Sequence, residues 1–168
     1  RPRVGRPLYR TRGQAETGAG QEEYRSQPMS LDYGDAAHRH WEDAHYLLTD
    51  GRLANADHLF GLSAECALKA VMLALGMKLK ASGAPEDQRY GHIDNLWDEF
   101  GSFVSSRGGA RYAALIAPHP NPFFPTWKVN QRYDARSVFS ASAVSDHQSG
   151  AKRAKICLDM AMLDGMVQ

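Results

Sequence analysis

The chain has 168 residues, of which 43% are hydrophobic, and its 20 lysines and arginines nearly balance its 19 aspartates and glutamates. This length suits one domain with a proper core, and the balanced charge excludes the strongly basic surface of a typical DNA-binding protein. The charge is unevenly distributed, because six arginines and three glutamates precede Met29, and the residues from Met29 onward carry a net charge of −2.

Neither the cysteines nor the hydropathy indicate secretion or a membrane. Cys66 and Cys157 occupy apolar positions of helical patterns, as reduced core thiols do. The longest strongly apolar run, residues 70–75, falls far short of the roughly 20 residues that cross a bilayer. No secretory signal pattern opens the sequence. We therefore expect a cytoplasmic protein that does not associate with membranes.

Residues 1–28 have a composition unlike that of the rest of the chain. They are rich in arginine, glycine, glutamine and glutamate and lack hydrophobic periodicity, which predicts a disordered extension. Met29 directly precedes the first helical pattern. Two interpretations remain open: Met29 is the natural start and the preceding residues are non-native, or those residues form a genuine flexible arm. In either case we expect a helical domain over residues 29–168.

The first predicted helix of that domain covers residues 35–50 and carries an apolar stripe that includes Trp41. Asp32 or Asp35 is expected to cap the start of this helix, because both side chains accept well from exposed backbone N–H groups. Gly51 is expected to end the helix.

The second predicted helix covers residues 53–75 and ends before Gly76. It is apolar on nearly every side, which indicates a position inside a bundle. At about 100° per residue, His58, Glu65 and Lys69 share one narrow strip of its surface. Because Glu65 precedes Lys69 by one turn, we expect an ion pair, which is either purely structural or lines a ligand or dimer groove.

A polar loop over residues 78–91 separates this helix from a short predicted helix over residues 92–103. His92 is expected to help cap the short helix, and a functional role for its ring is the alternative. One or two further helical turns are predicted over residues 110–117.

Residues 118–133, here called the proline strap, contain four prolines that favour extended backbone. Three aromatic side chains are expected to fasten the proline strap to the bundle: Phe123, Phe124 and Trp127. The last predicted helix covers residues 143–165, and its ridge of small residues allows close approach of another helix. The sequence predicts an all-α, four- to five-helix up-and-down bundle with a proline-rich strap before the last helix.

His147 lies on the apolar ridge of the last predicted helix, and a hydrogen-bonded core histidine is the simplest interpretation. The alternative is a small polar pocket, in which the proline strap brings Arg132 and Tyr133 to His147 beside Trp127. In this pocket Arg132 and His147 are the candidate catalytic residues.

One interpretation of the segment around Trp41 is a metal site. His38, Glu42 and His45 lie within two helical turns, and imidazole with carboxylate suits zinc or iron. No H-E-x-x-H or E-x-x-H motif accompanies them. A solvated helix face is the preferred interpretation, so we expect no metal ion and no other cofactor.

A sequence of the form A-x-x-x-x-G-L-S-A-E-C-A-L-K-A begins at Ala56 and includes residues 61–70, and His92 with Leu96 follows as H-x-x-x-L. This combination resembles the HEPN (higher eukaryote and prokaryote nucleotide-binding) superfamily, most closely over residues 38–100. The resemblance implies a helical bundle that is often dimeric. Such domains serve as RNases of toxin–antitoxin or defence systems, as inactive binding modules, or as partners of minimal nucleotidyltransferases.

Active HEPN RNases resemble one another in an R-x(4–6)-H motif near the last helix, and this chain departs from that pattern. Arg136 and His147 are too far apart to form the motif. The spacing recurs earlier in the chain, in or before the first two predicted helices: Arg39 with His45, and Arg52 with His58. Side chains six positions apart on a helix are separated by about 120° around its axis, so Arg39 and His45 diverge. The resemblance therefore implies a bundle without the usual RNase motif.

From the residues and the resemblance together we expect a HEPN-like binding and dimerisation module of a toxin–antitoxin or defence system. Its expected partners are a second copy, a nucleotidyltransferase or an antitoxin, and RNA or a nucleotide, with no DNA. The candidate binding residues are His58, Glu65, Lys69, His92, Trp127 and Tyr133. The alternative is a metal-independent endoribonuclease with Arg132 and His147 as a displaced pair.

Overall fold

The computed structural model describes residues 31–168, and this part of the chain is all-α. Its helices are α1 Tyr33–Thr49, α2 Leu53–Ala74, α3 Ile93–Ser105, α4 Ala110–Ile116 and α5 Ala141–Leu163, with short 3-10 helices at Gln88–Tyr90, Val129–Tyr133 and Arg136–Val138. Within residues 31–168 the extended pairing is an isolated bridge between Leu79 and Pro85. The predicted helical bundle is thus confirmed. The predictions for residues 1–28 and for Met29 lie outside the described residues.

The ends of α1 follow from two local signals in the sequence. The Asp32 side chain accepts a hydrogen bond from the Asp35 backbone N–H at 2.9 Å, so Asp32 is the N-cap of the two candidates. Gly51 follows the helix with a φ of +72°, a conformation that favours glycine, and its N–H donates to the Leu48 carbonyl. A short connection therefore leads directly from α1 into α2.

Helix α2 occupies the centre of the bundle, as its apolar composition predicted. It packs against α1 and α5 along most of its length, and α3 covers part of its remaining surface. Phe60, Ala64 and Leu68 are fully buried along it. The Ser63 hydroxyl donates to the Ala37 carbonyl of α1 at 2.8 Å, so even the polar side chain at this contact is satisfied.

The proline strap crosses the bundle between α2 and α5, and two of the three aromatic residues that were predicted to anchor it do so. Phe123 and Trp127 are fully buried, and the indole N–H of Trp127 donates to the Asp57 carbonyl of α2 at 3.2 Å. The prediction for Phe124 was wrong, because its side chain is 59% exposed. The predicted extended backbone of the proline strap was also wrong in part, because residues 124–126 form a turn, closed by the Trp127 N–H that donates to the Phe123 carbonyl, and Val129–Tyr133 is a 3-10 helix.

Glycines at the facing surfaces of α2 and α5 make room for the proline strap. The Trp127 indole lies directly over Gly61, where a Cβ atom would overlap with the ring. Gly150 of α5 is covered in the same way by Pro122 and Phe123. The small residues of α5 thus admit the proline strap at this point, in addition to the neighbouring helix that the sequence predicted.

Gly61→Ala is expected to lower the free energy of unfolding by about 1–3 kcal/mol, the usual cost of forcing an extra carbon into a packed core. The measurement is thermal or urea unfolding of the purified variant. Gly34→Ala is the matched control, because Gly34 is also buried in a helix but the nearest atom to an added Cβ, Asp32 Oδ1, is 3.4 Å away. Equal stability of the two variants would show that Trp127 does not need the space above Gly61.

Among residues 31–168, no helix has the length and apolarity that crossing a membrane requires.

Candidate functional site

A buried polar cluster lies where the proline strap meets α2 and α5. It consists of Asp57 from α2, His147 from α5, and Thr126 and Gln131 from the proline strap, and is called the Asp57 cluster below. The Asp57 side chain is 3% exposed and the His147 side chain 1% exposed. Two ionisable groups so far from water are costly unless each polar atom has a partner.

Each polar atom of Asp57 and His147 in this cluster has such a partner. His147 Nδ1 lies 2.6 Å from Asp57 Oδ1, and Gln131 Nε2 donates to Asp57 Oδ2 at 2.8 Å. Thr126 Oγ1 lies 2.9 Å from His147 Nε2. The Phe123 ring stacks on the imidazole with 5.4 Å between centroids, which fixes the plane of the histidine. The ring of His147 is therefore held on both edges and one face.

The direction of these hydrogen bonds follows from the chemistry of the groups. An ionised carboxylate only accepts, so His147 Nδ1 carries a hydrogen toward Asp57. In the neutral imidazole Nε2 then holds a lone pair, and the Thr126 hydroxyl donates to it. The result is a hydroxyl, an imidazole and a carboxylate in hydrogen-bonded series. A cavity of about 290 Å³ adjoins this series, and Lys128 and Ser140 are among its lining residues.

The sequence placed His147 beside Arg132, Tyr133 and Trp127, and the structure brings only part of that set together. Trp127 reaches the backbone of Asp57, next to His147. Arg132 instead stacks over the ring of its own neighbour, with 4.9 Å from its guanidinium carbon to the Tyr133 centroid. Tyr133 is 76% exposed. The contacts of His147 are those of a hydrogen-bonded core histidine.

Asp57, Thr126 and Gln131 were missed in the sequence. One signal was present for Asp57, because it shares a helical face with the buried Phe60, Gly61 and Ala64. A carboxylate on such a face requires a buried partner. No comparable signal distinguished Thr126 or Gln131, since both roles depend on the path of the proline strap across the bundle.

The predicted ion pair between Glu65 and Lys69 is confirmed. Lys69 Nζ lies 2.6 Å from Glu65 Oε1, with side chains 5% and 10% exposed. The same ammonium donates to the Gly91 carbonyl at 2.6 Å, and His92 Nδ1 lies 3.3 Å from Glu65 Oε2. The pair therefore joins α2 to the loop that leads into α3.

His92 and His58 differ from their predicted roles, the first as a helix cap and the second as a member of the strip on α2. His92 occupies the N-cap position of α3, but its side chain makes no capping hydrogen bond, so the prediction that it caps was wrong. Its ring is held by the Glu65 carboxylate, and this hydrogen bond raises the pKa of His92. His58 stacks on Trp127 at 5.6 Å, and burial, with help from Arg132, lowers the pKa of His58. His58 of α2 thus packs against the proline strap through Trp127 and is not a member of the Glu65–Lys69 pair.

The candidate metal ligands on α1 lie apart from one another in their contacts. His38 Nε2 is 3.6 Å from Asp159 of α5, while His45 contacts the Trp41 carbonyl and Gln148, each at 2.9 Å. Glu42 is exposed. Within residues 31–168, no three histidine, cysteine, aspartate or glutamate side chains converge as metal ligands would.

Exposed aromatic and cationic side chains of the proline strap, with one cation that follows it, are here called the outer strap face. Its members are Phe124, Lys128, Arg132, Tyr133 and the following Arg136. Lys128 Nζ lies 5.6 Å from the Phe124 ring centroid, so cations lie over both exposed rings of the face. Lys128 also pairs with Asp94 at 3.0 Å, whereas Arg132 and Arg136 form no ion pair with any described residue.

Comparison with protein-family models, with curated proteins and with solved structures yields no match to this chain. The resemblance to the HEPN superfamily consequently stays a prediction.

Proposed function

We propose that this protein is a HEPN-like helical binding module that binds RNA or a nucleotide on the outer strap face and self-associates. The observation that carries the proposal is the pairing of each exposed ring on this face with a cation. Single-stranded nucleic acids bind by stacking bases on aromatic side chains while cations contact their phosphates. The face supplies both elements although the chain is close to neutral overall.

The positions of these residues favour RNA binding on the outer strap face over RNA cleavage by Arg132 and His147. A general base has to reach the proton that it removes from the ribose hydroxyl. His147 is buried beneath the proline strap, and both its nitrogens already have partners. Arg132 lies on the outward side, over Tyr133. These positions support a module that holds RNA without the displaced Arg132 and His147 pair acting on it.

Self-association is proposed from the last turns of α5. Ile156 and Leu163 are 46% and 89% exposed and lie seven residues apart, on one face of the helix. Apolar side chains at this spacing suit a symmetric contact with a second copy. We expect light scattering to show twice the monomer mass, and Ile156→Glu with Leu163→Glu to yield the monomer. A wild-type protein that stays monomeric at high micromolar concentration would contradict this part.

The cellular setting is part of the same proposal. Cys66 and Cys157 are both free, and burial raises the pKa of each thiol to about 12. Such thiols are unreactive core residues of the kind found in reducing compartments. We propose a cytoplasmic protein of a toxin–antitoxin or defence system, with a nucleotidyltransferase or an antitoxin as its protein partner.

Binding of a fluorescein-labelled single-stranded RNA, measured by anisotropy, tests the proposed ligand. Tyr133→Ala is expected to weaken binding by roughly 5- to 100-fold, the effect of losing one stacked base. Arg132→Ala is expected to weaken it and to reduce its dependence on salt, because one phosphate contact is lost. Tyr46→Ala is the matched control, since Tyr46 is an equally exposed tyrosine on α1.

Two outcomes would contradict the proposal in different ways. Equal binding by wild type, Tyr133→Ala and Tyr46→Ala would remove the outer strap face as the site. Cleavage of the same RNA in EDTA that disappears in His147→Ala would instead favour the metal-independent ribonuclease. We expect no cleavage above background.

A further inference from the structure

We propose that Thr126, His147 and Asp57 form a nucleophilic relay, in which the Thr126 hydroxyl attacks small activated carboxylic esters. This activity is separate from binding on the outer strap face. The three side chains come from the proline strap, α5 and α2, so the relay exists only in the folded bundle.

The distances and hydrogen-bond directions are those that proton transfer from a hydroxyl requires. Thr126 Oγ1 and His147 Nε2 are 2.9 Å apart, and when the ring is neutral with its hydrogen on Nδ1, the hydroxyl donates to the Nε2 lone pair. The opposite nitrogen is 2.6 Å from Asp57 Oδ1, which fixes the tautomer and favours the imidazolium once it forms. Gln131 holds the other carboxylate oxygen at 2.8 Å, so Asp57 cannot rotate away from the ring.

The nucleophile of the relay is accessible, while the base and its carboxylate are buried. Asp57 and His147 are almost completely enclosed, whereas Thr126 is an exposed residue of the proline strap. Thr126 and His147 line the same cavity of about 290 Å³, so an ester in the cavity reaches the attacking oxygen, which lies 2.9 Å from the base. A contact needed only to fasten the strap does not require a hydroxyl that faces a cavity.

The reaction balances with water as the second substrate. Thr126 Oγ1 bonds to the carbonyl carbon while its proton passes to His147 Nε2, and the carbonyl oxygen takes up the electron pair. When the carbonyl re-forms, the bond to the leaving oxygen breaks, and that oxygen receives the proton from Nε2. Water then attacks the acyl-threonine by the same route, releases the carboxylic acid and restores the hydroxyl. Asp57 stays ionised throughout.

The test uses the full chain with two probes, p-nitrophenyl acetate and a biotinylated fluorophosphonate. The fluorophosphonate is expected to lose fluoride and to label Thr126, as located by peptide mass spectrometry. Thr126→Val, which keeps the volume and removes the hydroxyl, is expected to abolish the label and reduce ester hydrolysis to background. Thr126→Ser is expected to retain both reactions. Thr49→Val is the control, because the Thr49 hydroxyl donates to a backbone carbonyl and has no imidazole partner.

A second variant separates the relay from a structural role of the same residues. His147→Gln is expected to slow ester hydrolysis by about 10²-fold or more, the usual scale for losing a general base. No label on Thr126, or equal hydrolysis by wild type and Thr126→Val, overturns the proposal. Since Thr126→Val is expected to keep RNA binding, this proposal and the proposed function fail independently.

Discussion

Lys69→Ala is expected to lower the free energy of unfolding by about 3–5 kcal/mol, the cost of leaving one member of a buried ion pair without its partner. The variant leaves the Glu65 carboxylate 10% exposed with the neighbouring ammonium gone. It also removes the donor that the Gly91 carbonyl accepts from at 2.6 Å. Urea unfolding followed by circular dichroism measures the loss.

His92 makes this loss depend on pH. Its ring is the remaining partner of Glu65 in the variant, at 3.3 Å, and the Glu65 hydrogen bond raises the pKa of His92 above its ordinary value of 6.5. A raised pKa means that protonated His92 stabilises the fold fully below its unfolded pKa, and that this stabilisation disappears as the pH rises through the folded pKa. We therefore expect a smaller effect of Lys69→Ala near about pH 6 than near about pH 9.

Two further variants test whether the loss of stability in Lys69→Ala arises from burial of the Glu65–Lys69 pair. Lys155→Ala removes a pair of the same spacing, with Lys155 Nζ 2.7 Å from Asp159, but the two side chains are 23% and 42% exposed. Its expected cost is at most about 1 kcal/mol. Lys69→Met combined with Glu65→Leu should cost less than Lys69→Ala alone, because no charge stays buried. Equal losses for Lys69→Ala and Lys155→Ala would contradict the buried character of the first pair.

The helices were predictable because each carries its own local signals. The start of α1 follows from the Asp32 cap and its end from Gly51, and the predicted bounds of α1, α2 and α5 agree with the structure to within about two residues. The pair on α2 was predictable for the same reason, since residues four apart on a helix are neighbours. Local periodicity thus accounts for the bundle and for one of its two buried polar sites.

The Asp57 cluster was not predictable in this way, because its members are far apart in the chain. Asp57 and His147 are separated by 90 positions, and the strap residues Thr126 and Gln131 lie between them in sequence. Prolines exclude a regular α-helix here, but they do not show where the segment turns or which helices it crosses. Phe124 illustrates the same gap, since the sequence does not identify which of two neighbouring phenylalanines faces the core.

Asp57→Ala is the second substitution for which we expect a large effect, a loss of roughly 3 kcal/mol or more in the free energy of unfolding. The change removes the acceptor of two buried donors, His147 Nδ1 and Gln131 Nε2. Each unsatisfied buried donor costs about 1–3 kcal/mol, because it has lost its hydrogen bonds to water as well as its partner in the protein. Urea unfolding measures the total.

Hydrogen exchange locates the effect of Asp57→Ala within the molecule. The Trp127 amide donates to the Phe123 carbonyl at 2.7 Å, and the Gln131 amide donates to the Lys128 carbonyl at 3.0 Å, so both report on the proline strap. We expect these amides to exchange faster in the variant, while those of the Glu65 turn of α2 stay protected until global unfolding.

Asp134→Ala is the matched control for Asp57→Ala, because Asp134 is an exposed aspartate just after the proline strap. A substitution at such a surface position usually changes stability by no more than about 0.5 kcal/mol. If Asp57→Ala and Asp134→Ala unfold alike, with equal exchange at Trp127 and Gln131, the Asp57 carboxylate does not hold the strap. If only Asp57→Ala loosens the strap, one carboxylate both fastens the strap and orients the ring that faces Thr126.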